Sequence, residues 1–196
     1  MNQLAFGHFL ADGKTDIFRR APSGQWYIIS PGSQVWHEAE SSSFPLSSLR
    51  FGDFTGDGIT DVLAVEGGHW SISRSATGPW ETLNSKLSDS LGNVLIADLD
   101  GNGIDDVIRF ELTGLSGAPP TSAVARFDVS WDGRSSWQSW RTITFPIQRI
   151  PPTVTYFVGH FDNSPGADIL FLDDTRFGRR LSNGSSGAVV QNIYPY

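Results

Sequence analysis

Oxygen-bearing side chains stand at alternate positions in a nine-residue stretch: Asp53, Thr55, Asp57 and, at the ninth position, Asp61. Gly58 follows the third of them, where a chain wrapped round an ion must turn sharply. Calcium takes about 6–8 oxygen ligands at about 2.3–2.6 Å in a flexible shell, and an Asp-rich loop with a Gly at the bend supplies them. The seventh residue, Ile59, has no ligating side chain and would contribute its backbone carbonyl. The chemistry expected here is hard-cation binding rather than catalysis.

The frame recurs three more times. Asp98, Asp100, Asn102, the carbonyl of Ile104 and Asp106 repeat it 45 residues later, with Asp105 at the eighth position expected to point away. Another copy opens at His8, 45 residues before the first, and keeps Asp12 and Asp16. The last opens at His160, 62 residues after the third, and keeps Asp162, Ser164 and Asp168. Two calcium sites are expected, in the second and third loops in chain order, where three acids and a neutral oxygen stand at ligand positions. Filling the first and fourth would raise the number to four. Against them, His8 and His160 replace the opening Asp, Leu10 removes a ligand, Lys14 takes the carbonyl position and Pro165-Gly166 reshapes the bend. Zinc has weaker support, since neither loop supplies a second His or a Cys. The alternative is an Asp/Asn/Gly turn closed by its own hydrogen bonds without metal.

These loops need elements to hold them. Each copy follows a short apolar run and precedes Asp-(Ile/Val)-hydrophobic, so each reads as a loop between two strands. In the second repeat the expected strands are 49–54, 61–65, 70–74 and 80–83. Gly67-Gly68 forms the hairpin signal, and Trp70-Ser-Ile-Ser-Arg alternates with period two. The first repeat predicts strands over 3–9, 16–19, 25–30 and 35–39. The third predicts a second hairpin lengthened by the Gly/Pro-rich stretch 113–122, with strands over 123–131 and 137–145. The fourth predicts 154–161, 168–172, 176–181 and 189–194. Four short antiparallel strands per repeat describe one blade of a β-propeller. The fold class is therefore all-β, a propeller of four-stranded antiparallel blades: blade 1 3–46, blade 2 47–91, blade 3 92–150 and blade 4 151–196. Trp26 and Trp36 are spaced like Trp70 and Trp80, as blade-core positions would be.

The loops, Phe51-Gly52-Asp53 through Asp61-Val62 above all, resemble those of the FG-GAP/VCBS repeat family, the integrin α-like calcium-binding propellers. The resemblance spans essentially the whole chain. A Gly-Ala-Pro directly after the strand leaving the loop would mark the integrin type; here Gly117-Ala118-Pro119 is displaced into the third repeat. The Trp-bearing strands are closer to the bacterial VCBS type. The resemblance implies a calcium-stabilised, extracellular binding or interaction module, and through the fungal propeller lectins a carbohydrate-binding alternative.

Composition narrows the classes. The chain has 196 residues, no Cys, 21 Gly and a net charge of -7. The four frames hold 11 of the 21 acidic residues and one base, Lys14; outside them 10 acids face 13 bases. The acidity is thus mostly loop acidity, and no basic stripe suits a nucleic acid. No apolar run approaches the roughly 18 residues of a membrane span, and the N-terminal residues show no signal-peptide pattern. Motifs of nucleophilic, zinc-protease or dinucleotide chemistry are missing, so an enzyme is not expected. For the lectin alternative Trp131, Trp137 and Trp140, flanking the Asp132–Ser136 turn, are the expected stacking platform. Four blades would make a closed ring or half of a larger propeller completed by a second chain, so a homo-oligomer joins a protein or glycan ligand among the expected partners.

Overall fold

The structure, a computed structural model, describes residues 4–117, 120–147, 152, 154–172 and, for the backbone, 178–181. Its regular structure is β, in four antiparallel sheets whose strands lie side by side in chain order. The first sheet holds β1 (Leu4–Gly7), β2 (Asp16–Arg20), β3 (Gln25–Ile29) and β4 (His37–Ser41). The second holds β5 (Arg50–Gly52), β6 (Asp61–Glu66), β7 (His69–Ser73) and β8 (Trp80–Asn84). The third holds β9 (Val94–Ala97), β10 (Asp106–Gly117), β11 (Pro120–Ser130) and β12 (Gln138–Pro146). The fourth has three strands among the described residues: β13 (Thr155–Gly159), β14 (Asp168–Leu172) and β15 (Gly178–Leu181). Among the described residues no helix is long and apolar enough to cross a membrane.

Local sequence accounts for most of these strands. Gly67 and Gly68 both take positive φ, 61° and 81°, which lets Glu66 and His69 pair across a two-residue hairpin turn. Alternation puts Trp70 and Ile72 into the core, and Trp26 and Ile28 occupy the matching strand of the first sheet. Trp80 packs edge-on against Trp26 with ring centroids 5.9 Å apart. Trp36 departs from the expected spacing role: it precedes β4, is 40% exposed and lies near the Arg19 guanidinium. The stretch 113–122 lengthens the second hairpin of the third sheet as expected: its ends continue β10 and β11 as paired strands, with a bulge between Leu112 and Gly114. The strand expected over 189–194 lies outside the described residues.

Three apolar cores form, each between consecutive sheets. Phe9, Phe18, Trp26 and Ile28 of the first repeat meet Leu49, Val62, Ala64 and Ala76 of the second. Phe54, Leu63, Trp70 and Ile72 meet Leu87, Leu91 and Val107. Leu99, Ile108, Phe127 and Phe145 meet Ala167, Ile169 and Phe171. The second and third sheets are thus apolar on both faces, and burying the faces between sheets is the main favourable term in the fold. The four loops sit where each sheet's first strand passes to its second.

Candidate metal centre

The second and third loops are built alike. Asp53 Oδ1 accepts the Gly56 N–H at 2.7 Å and its Oδ2 accepts the Gly58 N–H at 2.7 Å. Asp98 does the same one repeat later, with the N–H groups of Gly101 at 2.7 Å and Gly103 at 2.8 Å. These glycines take positive φ, so the tight bend is open to them at little steric cost. At the fifth position Asp57 accepts from the Ile59 N–H at 2.9 Å and Asn102 from Ile104 at 2.7 Å. Thr55 lies against Asp53 Oδ1 through its N–H at 3.1 Å.

The ninth-position carboxylates are fully buried and anchor the loops. Asp61 Oδ2 accepts the Phe54 N–H at 3.1 Å and Asp106 Oδ2 the Leu99 N–H at 2.9 Å. Their other oxygens accept N–H groups from the turn after the third strand: Ser75 at 2.9 Å and Asp132 at 2.8 Å. Ser75 and Asp132 hold φ of 51° and 54°, a left-handed conformation that non-glycine residues rarely adopt. The turn beginning at Asp132, which the expected stacking tryptophans flank, reaches the third loop, where Asp132 Oδ1 also accepts from Asn102 Nδ2 at 2.9 Å.

The third loop brings three carboxylates together. Ligand oxygens of Asp98, Asp100 and Asp106 all lie within 4.8 Å of one another, the one such cluster of acid, His or Cys side chains among the described residues. Oxygens on opposite sides of a calcium at about 2.3–2.6 Å would stand about 4.6–5.2 Å apart, so the donors and the spacing fit that ion. Asp53, Asp57 and Asp61 do not gather as closely. The middle acid of the third loop, Asp100, stands at the third place and that of the second loop, Asp57, at the fifth; both are exposed.

The first and fourth loops are less complete. Asp168 Oδ2 accepts the Phe161 N–H at 2.9 Å, and Asp16 Oδ2 accepts from Leu10 at 2.7 Å. The other oxygen of each, Oδ1, is buried without a hydrogen-bond partner. Asp12 accepts from Ser30 Oγ at 2.6 Å and stands 3.8 Å from Lys14 Nζ, contacts that hold its pKa below the usual carboxylate value. In the fourth loop Asp162 accepts the Ser164 N–H at 2.7 Å, and Ser164 Oγ donates to the Gly166 carbonyl at 3.2 Å.

Sequence reading missed the eighth position. Asp105 does point away from its own loop, and there its Oδ2 accepts the Asp53 N–H at 2.7 Å. Eighth-position N–H groups donate to the opening carbonyl of the preceding loop three times over: Thr60 to His8, Asp105 to Asp53 and Ala167 to Asp98, each at 2.7 Å. The loops are therefore laced into a chain. The one signal available was the shared Thr at the eighth place of the first two loops, Thr15 and Thr60.

The three tryptophans do not make one platform. Trp137 packs edge-on against Trp70 at 5.3 Å, donates Nε1–H to Asp89 at 3.0 Å and lies under the Arg109 guanidinium at 4.4 Å. Trp131 and Trp140 pack instead against the core between the third and fourth sheets. All three are half-buried: Trp140 lies on β12, while Trp131 and Trp137 lie in the turn and the short stretch that precede it.

Burial makes the loops sensitive to protons. It pushes Asp106 up to about 7, against the stabilising N–H groups of Asp132 and Leu99. Burial likewise pushes Asp61 and Asp105 up to about 6, with neighbouring carboxylates adding to the rise. Burial is also the leading cause that raises Asp100. Folded values above the unfolded carboxylate value of about 3.9 mean that protonation favours the fold. That contribution is complete below about pH 4 and is lost as pH rises to about 7. Metal-stripped protein should therefore melt higher at about pH 5 than at about pH 7.5. Calcium competes for the same oxygens, so its stabilising effect should grow over that window. Thermal melts of metal-stripped and calcium-loaded protein across the window check both; a metal-free melt that rises with pH would contradict the assignment.

No protein-family model and no curated protein matches the chain by sequence.

Proposed function

We propose that the chain is a calcium-stabilised β-propeller module of the FG-GAP/VCBS type, whose work is recognition of a protein or glycan outside the cell. The observation that carries this is the Asp98–Asp100–Asp106 cluster, set in a loop that recurs at the same place in every sheet. The repeated N–H to carbonyl clasp between successive loops supports the propeller reading, since one repeated contact generates a regular array of sheets. The mobile-ion chemistry is structural: an empty loop crowds carboxylates against one another, and an ion bound only by the folded form adds RT ln(1 + [L]/Kd). That is about 2.7 kcal/mol per site at a hundredfold excess over Kd. For a chain of this size it corresponds to about 5–10 °C. Calorimetry in calcium and after chelation should show that difference. Identical melts in both would remove the calcium reading.

One observation favours the carbohydrate alternative. A groove of about 430 Å³ lies between the linkers that follow the first and second sheets. Ser47, Ser48, Ser88 and Ser90 line it, beside Phe44. Hydroxyl groups next to an aromatic ring suit a sugar, which needs both hydrogen bonds and an apolar face. Arg50 fixes the two linkers together by donating to the carbonyls of Ser47 at 3.0 Å and Gly92 at 2.9 Å. A glycan array read in calcium distinguishes this reading from protein recognition.

A further inference from the structure

We propose that two copies of this chain join edge to edge through the outer half of β10, the two strands pairing antiparallel so that the third sheet runs on from one molecule into the other. The contact rests on a strand edge apart from the four loops and stands whether or not they hold metal.

On one side β10 outruns its neighbour. β9 pairs with it only from Asp106 to Arg109, whereas β11 accompanies it to Gly117. Among the described residues no strand pairs with the other edge of 110–117. Residues 111–117 are all exposed, and a Cβ added at Gly114 would meet nothing within 4 Å. An open edge presents a row of N–H and C=O groups that another chain can pair with, and proteins commonly blunt it with Lys or Pro. Phe110-Glu-Leu-Thr-Gly-Leu-Ser-Gly117 holds neither. Its one charge, Glu111, is taken up by Arg126 at 2.8 Å.

The edge is complementary to itself. In a regular strand, residues three apart point to opposite faces. The bulge between Leu112 and Gly114 changes that, since Leu112 stands opposite Ala125 and Leu115 opposite Ala123. Those two alanines are two places apart on β11 and buried in one core, so Leu112 and Leu115 share a face. They are 39% and 47% exposed. A two-fold axis perpendicular to the sheet, passing between Thr113 and Gly114, sets Leu112 of each copy against Leu115 of the other. The same register sets Glu111 against Ser116, so no like charges face each other across the contact. No other register pairs both leucines with leucine. Eight residues paired this way form about six to eight hydrogen bonds between the chains, within the about 5–15 of a typical interface. A second copy is the occupant this edge fits, because it brings the strand, the matching leucines and the same patch on both sides that a two-fold contact requires.

Solution mass tests this, measured by light scattering over a range of concentrations on the full chain in calcium. Wild type should reach the mass of two chains. Leu112→Lys and Leu115→Glu should each stay at one, because either substitution sets a charge against leucine in both pairs. An equimolar mixture of the two variants should return to two chains, since one pair then joins opposite charges and the other stays leucine on leucine. A one-chain wild type would overturn the proposal, as would a variant that pairs alone or a mixture that stays at one chain. Circular dichroism checks that each variant is folded. Amide hydrogen exchange on wild type tests the same contact without any substitution: N–H groups over 110–117 should be protected in the two-chain sample and lose protection on dilution, and protection that ignores concentration would overturn the pairing. A folded one-chain wild type that still gains stability from calcium would sink the pairing and leave the calcium module standing.

Discussion

Asp106→Ala should lower stability by about 2–6 kcal/mol even without metal, the largest loss expected from one side chain. Its two oxygens accept the Leu99 and Asp132 N–H groups at 2.9 and 2.8 Å, and the carboxylate is fully buried. Each buried donor left without a partner costs about 1–3 kcal/mol. Relief of an unfavourable buried charge offsets part of this near neutral pH, where burial holds the carboxyl at about 7. In calcium the variant should fall further behind, by about 2.7 kcal/mol at a hundredfold excess over Kd, because the third loop no longer gains from the ion. Denaturant melts of both proteins in chelator and in calcium separate the two losses. A gap that stays the same on adding calcium removes the metal from this loop. A variant as stable as wild type in chelator removes the hydrogen-bond account instead.

Gly166→Ala should cost about 2–4 kcal/mol for a single methyl group. A Cβ at this position would stand 2.1 Å from the Leu99 carbonyl oxygen and 2.7 Å from its carbon. Both are backbone atoms, so no side-chain rotation relieves the overlap, and the fourth loop must move off the third. Forced overpacking costs about 1–3 kcal/mol. The shift would also strain the neighbouring Ala167 N–H to Asp98 carbonyl bond of 2.7 Å, a further loss of about 1 kcal/mol. Gly103→Ala is an instructive comparison: its Cβ would meet nothing within 4 Å, and its penalty comes only from a φ of 87°. Equal melting temperatures for wild type and Gly166→Ala would show that the loops do not approach as closely as this.

The periodic features were legible in the sequence. Nine-residue frames, apolar runs on either side and Gly-Gly at a hairpin fix loops and strands through local geometry, and β6, β8 and β14 fall within a residue of expectation. The frames also place Asp98, Asp100 and Asp106 at ligand positions, and these the structure brings together. The second loop shows the limit. Three acids at the first, fifth and ninth places looked equivalent to three at the first, third and ninth, yet only the latter converge. Direction in space, not spacing along the chain, decides which oxygens meet.

Sequence by itself determined that the chain is β-structured, repeats four times and concentrates acids in turns, because each of these is a property of neighbours along the chain. Tertiary structure decided everything that depends on the adjacent repeat. It turned Asp105 onto Asp53 and drew Trp137 into the contact with Trp70. It also made Gly166 a point of backbone contact rather than only a bend. The physical reason is the same in each case: a side chain's partner is chosen by the sheet packed against it, and no local pattern encodes how close that sheet will come.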